Sequence, residues 1–362
     1  MTTMKQIAQA TGVSVSTVSL VLNNRDKGRV KADIAERVRG QAKSMGYRPN
    51  PLARSLRTSR TGILGFISEE VATTPYAGGI IMGAQDAAAR LGYMLITVST
   101  DGVADEGRQI AALKRYGVDG FLYAKMYDRV ADVPGSLAEP PVVVANASER
   151  TGRFPAIAPD EFAIGYDATR RLIDAGCRRI AYIGDKDPIL AQGIRFRGYR
   201  QALEEAGLGY DPSLTVNVGF NQEAMTGVEL MIRSARPDGF FCFNDARAWY
   251  VYEAAARRGL TIGRDWSVVG VDNHRVFAET LAPRLTTIAL PHYEMGFWAA
   301  TKLVSLIEKR TPNPAGSSRL GAPPTAHGCG DPGPDTLPTA RKGFRRRHLT
   351  VTIPASRRIP CM

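Results

Sequence analysis

Polar side chains stand just beyond three apolar runs of this 362-residue chain. Asn146 follows "PVVVA", Asn244-Asp245 follows "GFFCF", and Asp272-Asn273 follows "SVVGV". Arg195 comes three residues before Gly198, at the expected start of a helix. Such groups converging on a small cavity suit a polyhydroxylated ligand. Each Asp or Asn can engage a pair of hydroxyls, and Arg donates several bonds in one plane. The plainer reading of Asp or Asn after a strand is a turn residue or helix cap, and of Arg195 an ion pair with a nearby acid. Catalytic constellations are missing from the sequence. There is no G-x-x-x-x-G-K-[ST] and no G-x-G-x-x-G, and His274, His292, His327 and His348 form no H-x-x-x-H pair. His292, in "LPHYEMG", is expected to be structural. Cys177, Cys242, Cys329 and Cys361 show no paired spacing, so neither a disulfide framework nor a metal site is expected. No cofactor is implied.

Strands and helices must alternate to position these residues. "GILGFIS" (62–68) is an apolar strand, 78–93 is helical, and "MLITVST" (94–100) is a strand. Residues 106–124 give helix, Gly turn and strand, and 141–147 a further strand. The theme restarts after Asp160: helix then strand over 163–184, helix over 195–208, helix then strand over 227–245, strand over 266–273. This alternation points to right-handed crossovers and parallel sheets. Two α/β halves in tandem imply a two-lobed binding protein whose ligand lies between the lobes, beyond the strand C-termini.

The chain begins differently. In "MKQIAQATGVSVSTVSLVLNN", Met4 to Asn24, Thr3 and Gln6 have capping-box spacing. Ile7, Ala8 and Ala10 give the apolar side of a short helix. Gly12 takes a positive φ cheaply, and Ser14 caps a second helix on which Val18, Val21 and Leu22 share one face. Ala8, Gly12 and Val18 have helix-turn-helix spacing, and the second helix of that motif lies in the major groove. A third helix, about Lys31 to Met45, closes the small core with Ile34, Ala35, Val38 and Ala42, and Gly46 stops it. Charge agrees: the chain carries +12, with 12 Lys/Arg against 3 Asp/Glu over residues 1–60 and 27 against 30 over 61–310. A basic head on a near-neutral body implies a polyanion partner for the head.

"IAQATGVSVSTVSLVLN" followed by "GYRPNPLARSLRT" resembles the DNA-binding head and hinge of the lactose-repressor (LacI/GalR) family. The resemblance covers roughly residues 4–312 and implies an all-α helix-turn-helix head (1–48), a hinge (49–61) and an α/β two-lobed periplasmic-binding-protein-like core with parallel sheets (62–312). Lobe 1 is expected over about 62–158 plus 291–310, lobe 2 over about 159–290. It further implies a repressor that binds operator DNA as a homodimer under control of a small effector, a sugar. By position, Val15, Ser16 and Leu20 fall where the family reads bases, and Thr17, Ser19 and Asn23 at phosphate- or base-contacting places; Thr3, Ser14 and Asn50 complete the set. Leu56 matches the hinge leucine that wedges into the operator minor groove, with Ala53 and Arg57 as its neighbours. Asn146, Arg195, Asn244 and Asp272 match effector contacts, and Tyr76 and Phe220 lie near positions of a packing aromatic. Two departures matter. Leu20 cannot hydrogen-bond, so discrimination there is apolar, as with a thymine methyl. Lys31 stands where Ser or Thr is usual, and Ile34-Ala35 replaces Thr-Arg, so the third helix is expected to be less well capped and to lose a phosphate contact, with Lys31 replacing some of that charge. The rival from another class is a sugar-processing enzyme fused to a DNA-binding head; ligand turnover on mixing separates the two.

After Thr311 the pattern fails. Residues 313–362 are rich in Pro, Gly and Arg, without sustained periodicity until "HLTVTI", and hold 8 Lys/Arg against 2 Asp/Glu. A disordered basic tail is expected, with loss of the family's last strand exposing an edge of the second lobe. Out-of-frame translation of a GC-rich gene would produce such a tail; a coding sequence with no shifted frame restoring a strand pattern near codon 312 would reject that origin. No stretch approaches the ~20 apolar residues of a membrane span, and the N-terminus has no secretory apolar run, so a cytoplasmic protein with no membrane partner is expected.

Overall fold

Local signals build the first helices. The computed structural model describes residues 2–47, 60–69, 71–72, 74, 77–100, 102–310 and 349–352. Asn50, Ala53, Leu56, Arg57 and Tyr76 lie outside the described residues. The chain divides into two compact units, Met1–Thr61 and Gly62–Met362. In the first, α1 (Met4–Thr11) starts on the expected capping box: Thr3 Oγ1 accepts from the Gln6 N–H at 3.3 Å, and Gln6 Oε1 accepts from the Thr3 N–H at 2.8 Å. Gly12 ends it at φ 69°. The α2 helix (Val15–Leu22) starts on Ser14, whose Oγ accepts from the Thr17 N–H at 3.1 Å. The α3 helix (Ala32–Ser44) has no side-chain cap on Lys31, in line with the weaker capping its departure implied. Ile7, Ala8, Val18, Val21, Ala35, Val38 and Ala42 form the core, and Ile34 packs at its margin. Asp26, nearly buried between α2 and α3, accepts two 2.8 Å bonds from one Arg39 nitrogen. That guanidinium holds the Asp26 carboxyl below its ordinary pKa.

The second unit holds two large sheets, with a short two-stranded ladder of Val130–Ala131 and Ser148–Glu149 beside them. The first takes β1 (Ile63–Glu69), α4 (Gly78–Arg90), β2 (Met94–Thr100), α5 (Gly102–Arg115), β3 (Gly120–Ala124), β4 (Val142–Ala145) and β5 (Ala156–Pro159). After α6 (Glu161–Asp174) the second takes β6 (Ile180–Asp185), α7 (Leu190–Glu205), β7 (Thr215–Val218), α8 (Gln222–Ala235), β8 (Gly239–Cys242), α9 (Asp245–Ala256), β9 (Ser267–Val271), α10 (Arg275–Thr280) and β10 (Thr286–Ile288). The α11 helix (His292–Arg310) then returns to pack on α4 against the first sheet. Strand order is β5-β4-β3-β1-β2 in the first sheet and β10-β9-β8-β6-β7 in the second, all parallel. Continuous burial of β3, β4, β6 and β8 is what two-sided cover by helices demands. Among the described residues no helix is long and apolar enough to cross a membrane.

Two expectations need correction. Leu349–Thr352 is not irregular: it forms β11, antiparallel to β5, with Thr350 opposite Ala158. The β-rich "LTVT" finds open backbone groups along β5, an edge of the first sheet, and not of the second as anticipated. Arg195 does not open a helix either. The α7 helix begins at Leu190, so Arg195 sits in its second turn on the buried side.

Glycine sets how α6 and α7 meet. A Cβ on Gly165 would lie 2.0 Å from the Arg195 carbonyl oxygen, and one on Gly198 2.2 Å from that of Phe162. The helices touch backbone to backbone, which brings Glu161 and Arg195 side by side. Gly165→Ala must force them apart, so a loss of about 3 kcal/mol or more is expected in denaturant unfolding, with weakened effector response.

Candidate functional site

The strand ends of the two lobes meet around one enclosed cavity. Its wall includes Met126, Asp128 and Asn146 from the first lobe, Glu161, Arg195, Phe243, Asn244 and Asp272 from the second, and Leu290 and His292 at the crossing back. The free space is about 10 Å³, room for about one water.

Each polar group is fixed by its element. Asn146 turns at φ 56° beyond β4, and its Nδ2 donates to the Lys125 carbonyl at 2.9 Å, leaving its carbonyl oxygen for a ligand. Asn244 caps α9: its Oδ1 accepts from the Arg247 N–H at 3.1 Å and from Arg247 Nη1 at 3.2 Å, leaving its amide nitrogen. Arg195 is 3% exposed; it ion-pairs with Glu161 through Nε, donates to the Phe243 carbonyl at 2.5 Å, and lies 4.4 Å over the Phe243 ring. Asp272 follows β9 at φ 105°, with its N–H on the Ile288 carbonyl at 2.9 Å. Asp245 stands behind the wall and holds that loop, accepting from the His274 N–H at 2.7 Å and the Thr287 hydroxyl at 2.5 Å. Asp128 is 4% exposed, accepts from Ser148 Oγ at 3.1 Å, and through its carbonyl accepts from the Ala191 N–H of the other lobe at 3.2 Å.

Burial shapes the acids. It pushes Asp128 up to about 7, helped by the charge of Glu161. It pushes Asp245 up to about 7 against the hydrogen bonds of Thr287 and His274. Asp272 is raised well above the ordinary carboxylate range by burial, against the pull of Arg195 and with the push of Asp245 and Glu161. Backbone strain gathers here too: Tyr127, Asn146, Asp272 and Asn273 all have positive φ, a conformation that costs of order 1–3 kcal/mol each outside glycine.

Asn146, Arg195, Asn244 and Asp272 therefore share one cavity. Phe220 does not line it. Its ring is 59% exposed and lies 4.4 Å over the Arg247 guanidinium. Arg247 is fully buried, 2.8 Å from Asp185 and 2.9 Å from the Val218 carbonyl. Asp128, Glu161, Phe243 and His292 belong to the wall and escaped the sequence reading. Asp128 lies four residues past β3, where the polar-after-strand rule would have found it, and Glu161 follows the Asp160 that caps α6.

On the head, α2 presents Val15, 45% exposed, and Ser16, exposed, with Thr17, Ser19, Leu20 and Asn23 half-buried. Their polar groups are turned on themselves. Ser14 Oγ lies 2.7 Å from Ser16 Oγ and 2.9 Å from Thr17 Oγ1, and Asn23 Nδ2 donates to the Ser19 carbonyl at 2.6 Å. Contacts to another molecule would replace these.

Comparison with known proteins agrees with both units. Residues 3–50 match "Bacterial regulatory proteins, lacI family", and residues 169–326 match "Periplasmic binding protein-like domain". The chain is 32% identical to the HTH-type transcriptional regulator RegA of Clostridium saccharobutylicum over 317 residues, 85% of this chain and 93% of that protein. It is 33% identical to the ribose operon repressor of Haemophilus influenzae over 324 residues, 86% and 94% of the two chains. Among solved structures it resembles the transcriptional regulator CelR-cellobiose complex, with a TM-score of 0.61 and 27% identity over 87% of this chain and 95% of that one. At 32% and 33% identity the two relatives span both units of the chain, and the chain belongs to the lacI family of bacterial regulatory proteins.

Proposed function

We propose that the protein is a sequence-specific, DNA-binding repressor whose operator affinity is set by a sugar closing the inter-lobe cleft. The observation that carries this is one chain holding both an exposed α2 on a basic head and an enclosed cavity walled by Arg195, Asn146, Asn244 and Asp272. The relatives support the sugar: one is named for a ribose operon, and one solved structure is a cellobiose complex. The protein works as a homodimer in the cytoplasm, one α2 in each of two major grooves, on an operator whose two-fold symmetry mirrors its own. The hinge leucine Leu56, with Asn50, Ala53 and Arg57, acts in the minor groove between them. A sugar-sized ligand needs roughly 300 Å³, so the lobes must part to admit it. The ligand shifts operator affinity only by its preference for one lobe arrangement, typically about 1–3 kcal/mol.

Gel-shift with the gene's own upstream DNA, screened against sugars, tests the reading; a protein that ignores duplex DNA of every sequence at low salt rejects it. Ser16→Ala is expected to weaken operator binding by about tenfold, on the order of 1–3 kcal/mol, with ligand binding unchanged. Equal operator affinity would remove Ser16 from the interface.

A further inference from the structure

The cavity is not electrically balanced. Asp128, Glu161 and Asp272 line it against one guanidinium, Arg195, which is spent on Glu161 and the Phe243 carbonyl. Counting His292 as a cation still leaves the acids ahead. The surrounding layer deepens the excess. Asp245 lies behind Asp272 with only hydrogen-bond donors on it, whereas Arg247 is matched by Asp185. On the first lobe Lys125 is held between two carboxylates, 3.0 Å from Glu69 and 3.1 Å from Glu106. Two acids of the wall thus have no ion pair among the described residues, one from each lobe: Asp128, whose carboxylate accepts from the Ser148 hydroxyl, and Asp272, on which Arg195 acts only from a distance. Among the described residues no three acids, histidines or cysteines gather as ligands for a metal ion.

Resting on the reading of this cleft as the effector site, we propose that its effector is a hydroxyl-rich amine, with the ammonium taken by the Asp128 and Asp272 carboxylates, and that sugar acids and sugar phosphates are rejected. A neutral sugar can give hydroxyl donors to Asn146, Asn244 and the two acids, but it brings no positive charge to offset the acidic excess of the wall. An anion adds a third like charge, the repulsive element by which a site refuses a close analogue. An ammonium offsets the excess, and with one acid on each lobe it favours the closed arrangement over the open one, which couples the charge of the ligand to the DNA response.

The test is calorimetric titration of the full chain near neutral pH with matched sets built on glucose, galactose, ribose and cellobiose: the amino sugar, the neutral parent, the sugar acid and the sugar phosphate. On at least one scaffold the amine is expected to bind about tenfold or more tighter than its parent, about 1.4 kcal/mol, with no heat from acid or phosphate. Asp128→Asn should reduce that advantage to about twofold, by weakening the amine and tightening the neutral parent; Asp272→Asn gives the same comparison should the first variant fail to fold. A neutral parent that matches its amine, or an acid or phosphate that binds as well, overturns the amine assignment and leaves the cleft a sugar site. Silence from every compound of every charge overturns the sugar-effector reading and the amine assignment together.

Discussion

Arg195→Ala should lower the stability of the second unit by about 3–5 kcal/mol and abolish the effector response, while operator binding by the head persists. Arg195 and Glu161 are 4% and 2% exposed in their side chains, and the pair joins α7 to the start of α6. Deleting one partner strands the other as a buried charge, the expensive case. The Phe243 carbonyl also loses its donor, and the ring loses the cation stacked on it. Chemical unfolding measures the first effect and gel-shift the second. Adding Glu161→Gln to Arg195→Ala removes the stranded charge, so the double variant should recover much of the stability and none of the response. A double variant no more stable than the single one would show the damage to be a packing defect instead.

Asp128→Asn should raise stability, and only above acid pH. A carboxyl held at about 7 when folded and near 3.8 when unfolded keeps its proton longer in the fold. Stability therefore falls as pH climbs from about 4 to about 7, and stays reduced above. The full displacement corresponds to at most about 4 kcal/mol. Relaxation around the charged group leaves on the order of 2 kcal/mol, or about 4–8 °C in Tm for a unit of this size. Asn keeps an acceptor for the Ser148 hydroxyl. Thermal scans of both proteins at about pH 4 and about pH 8 should coincide at the first and separate at the second. Equal separation at both would mean that Asp128 carries no strained charge.

Much of this architecture is legible in the sequence, for reasons that differ by element. Strands buried on both faces advertise themselves as apolar runs, so β1, β3, β4, β8 and β9 are plain. Thr215–Val218, with Asn217 exposed within four residues, carries too little pattern. Ala156–Pro159 ends in a residue that removes a donor and demotes any strand reading. The head is legible because caps and turns are local chemistry: Thr3, Gln6, Gly12 and Ser14 act within a few residues of themselves. The cleft is half legible. Asn146, Asn244 and Asp272 follow visible strands, but the Glu161 partner of Arg195 depends on two glycines 33 residues apart touching opposite backbones. Only the packed structure reveals that. The same holds for Phe220, whose place over Arg247 depends on a buried pair with Asp185.

The positive φ angles of Asn146, Asp272 and Asn273 limit how this regulator can change its ligand through descent. Only glycine adopts such backbone freely, and asparagine and aspartate tolerate it better than other side chains. At those three places Asn, Asp and Gly are favoured, although Tyr127 shows that the fold can hold a larger side chain at such an angle, so a lineage that shifts to another effector has less to gain there. Met126, Asp128, Phe243 and His292 surround the same space without positive φ. New specificities should accumulate at these four, with the strained three passed on as inherited scaffold.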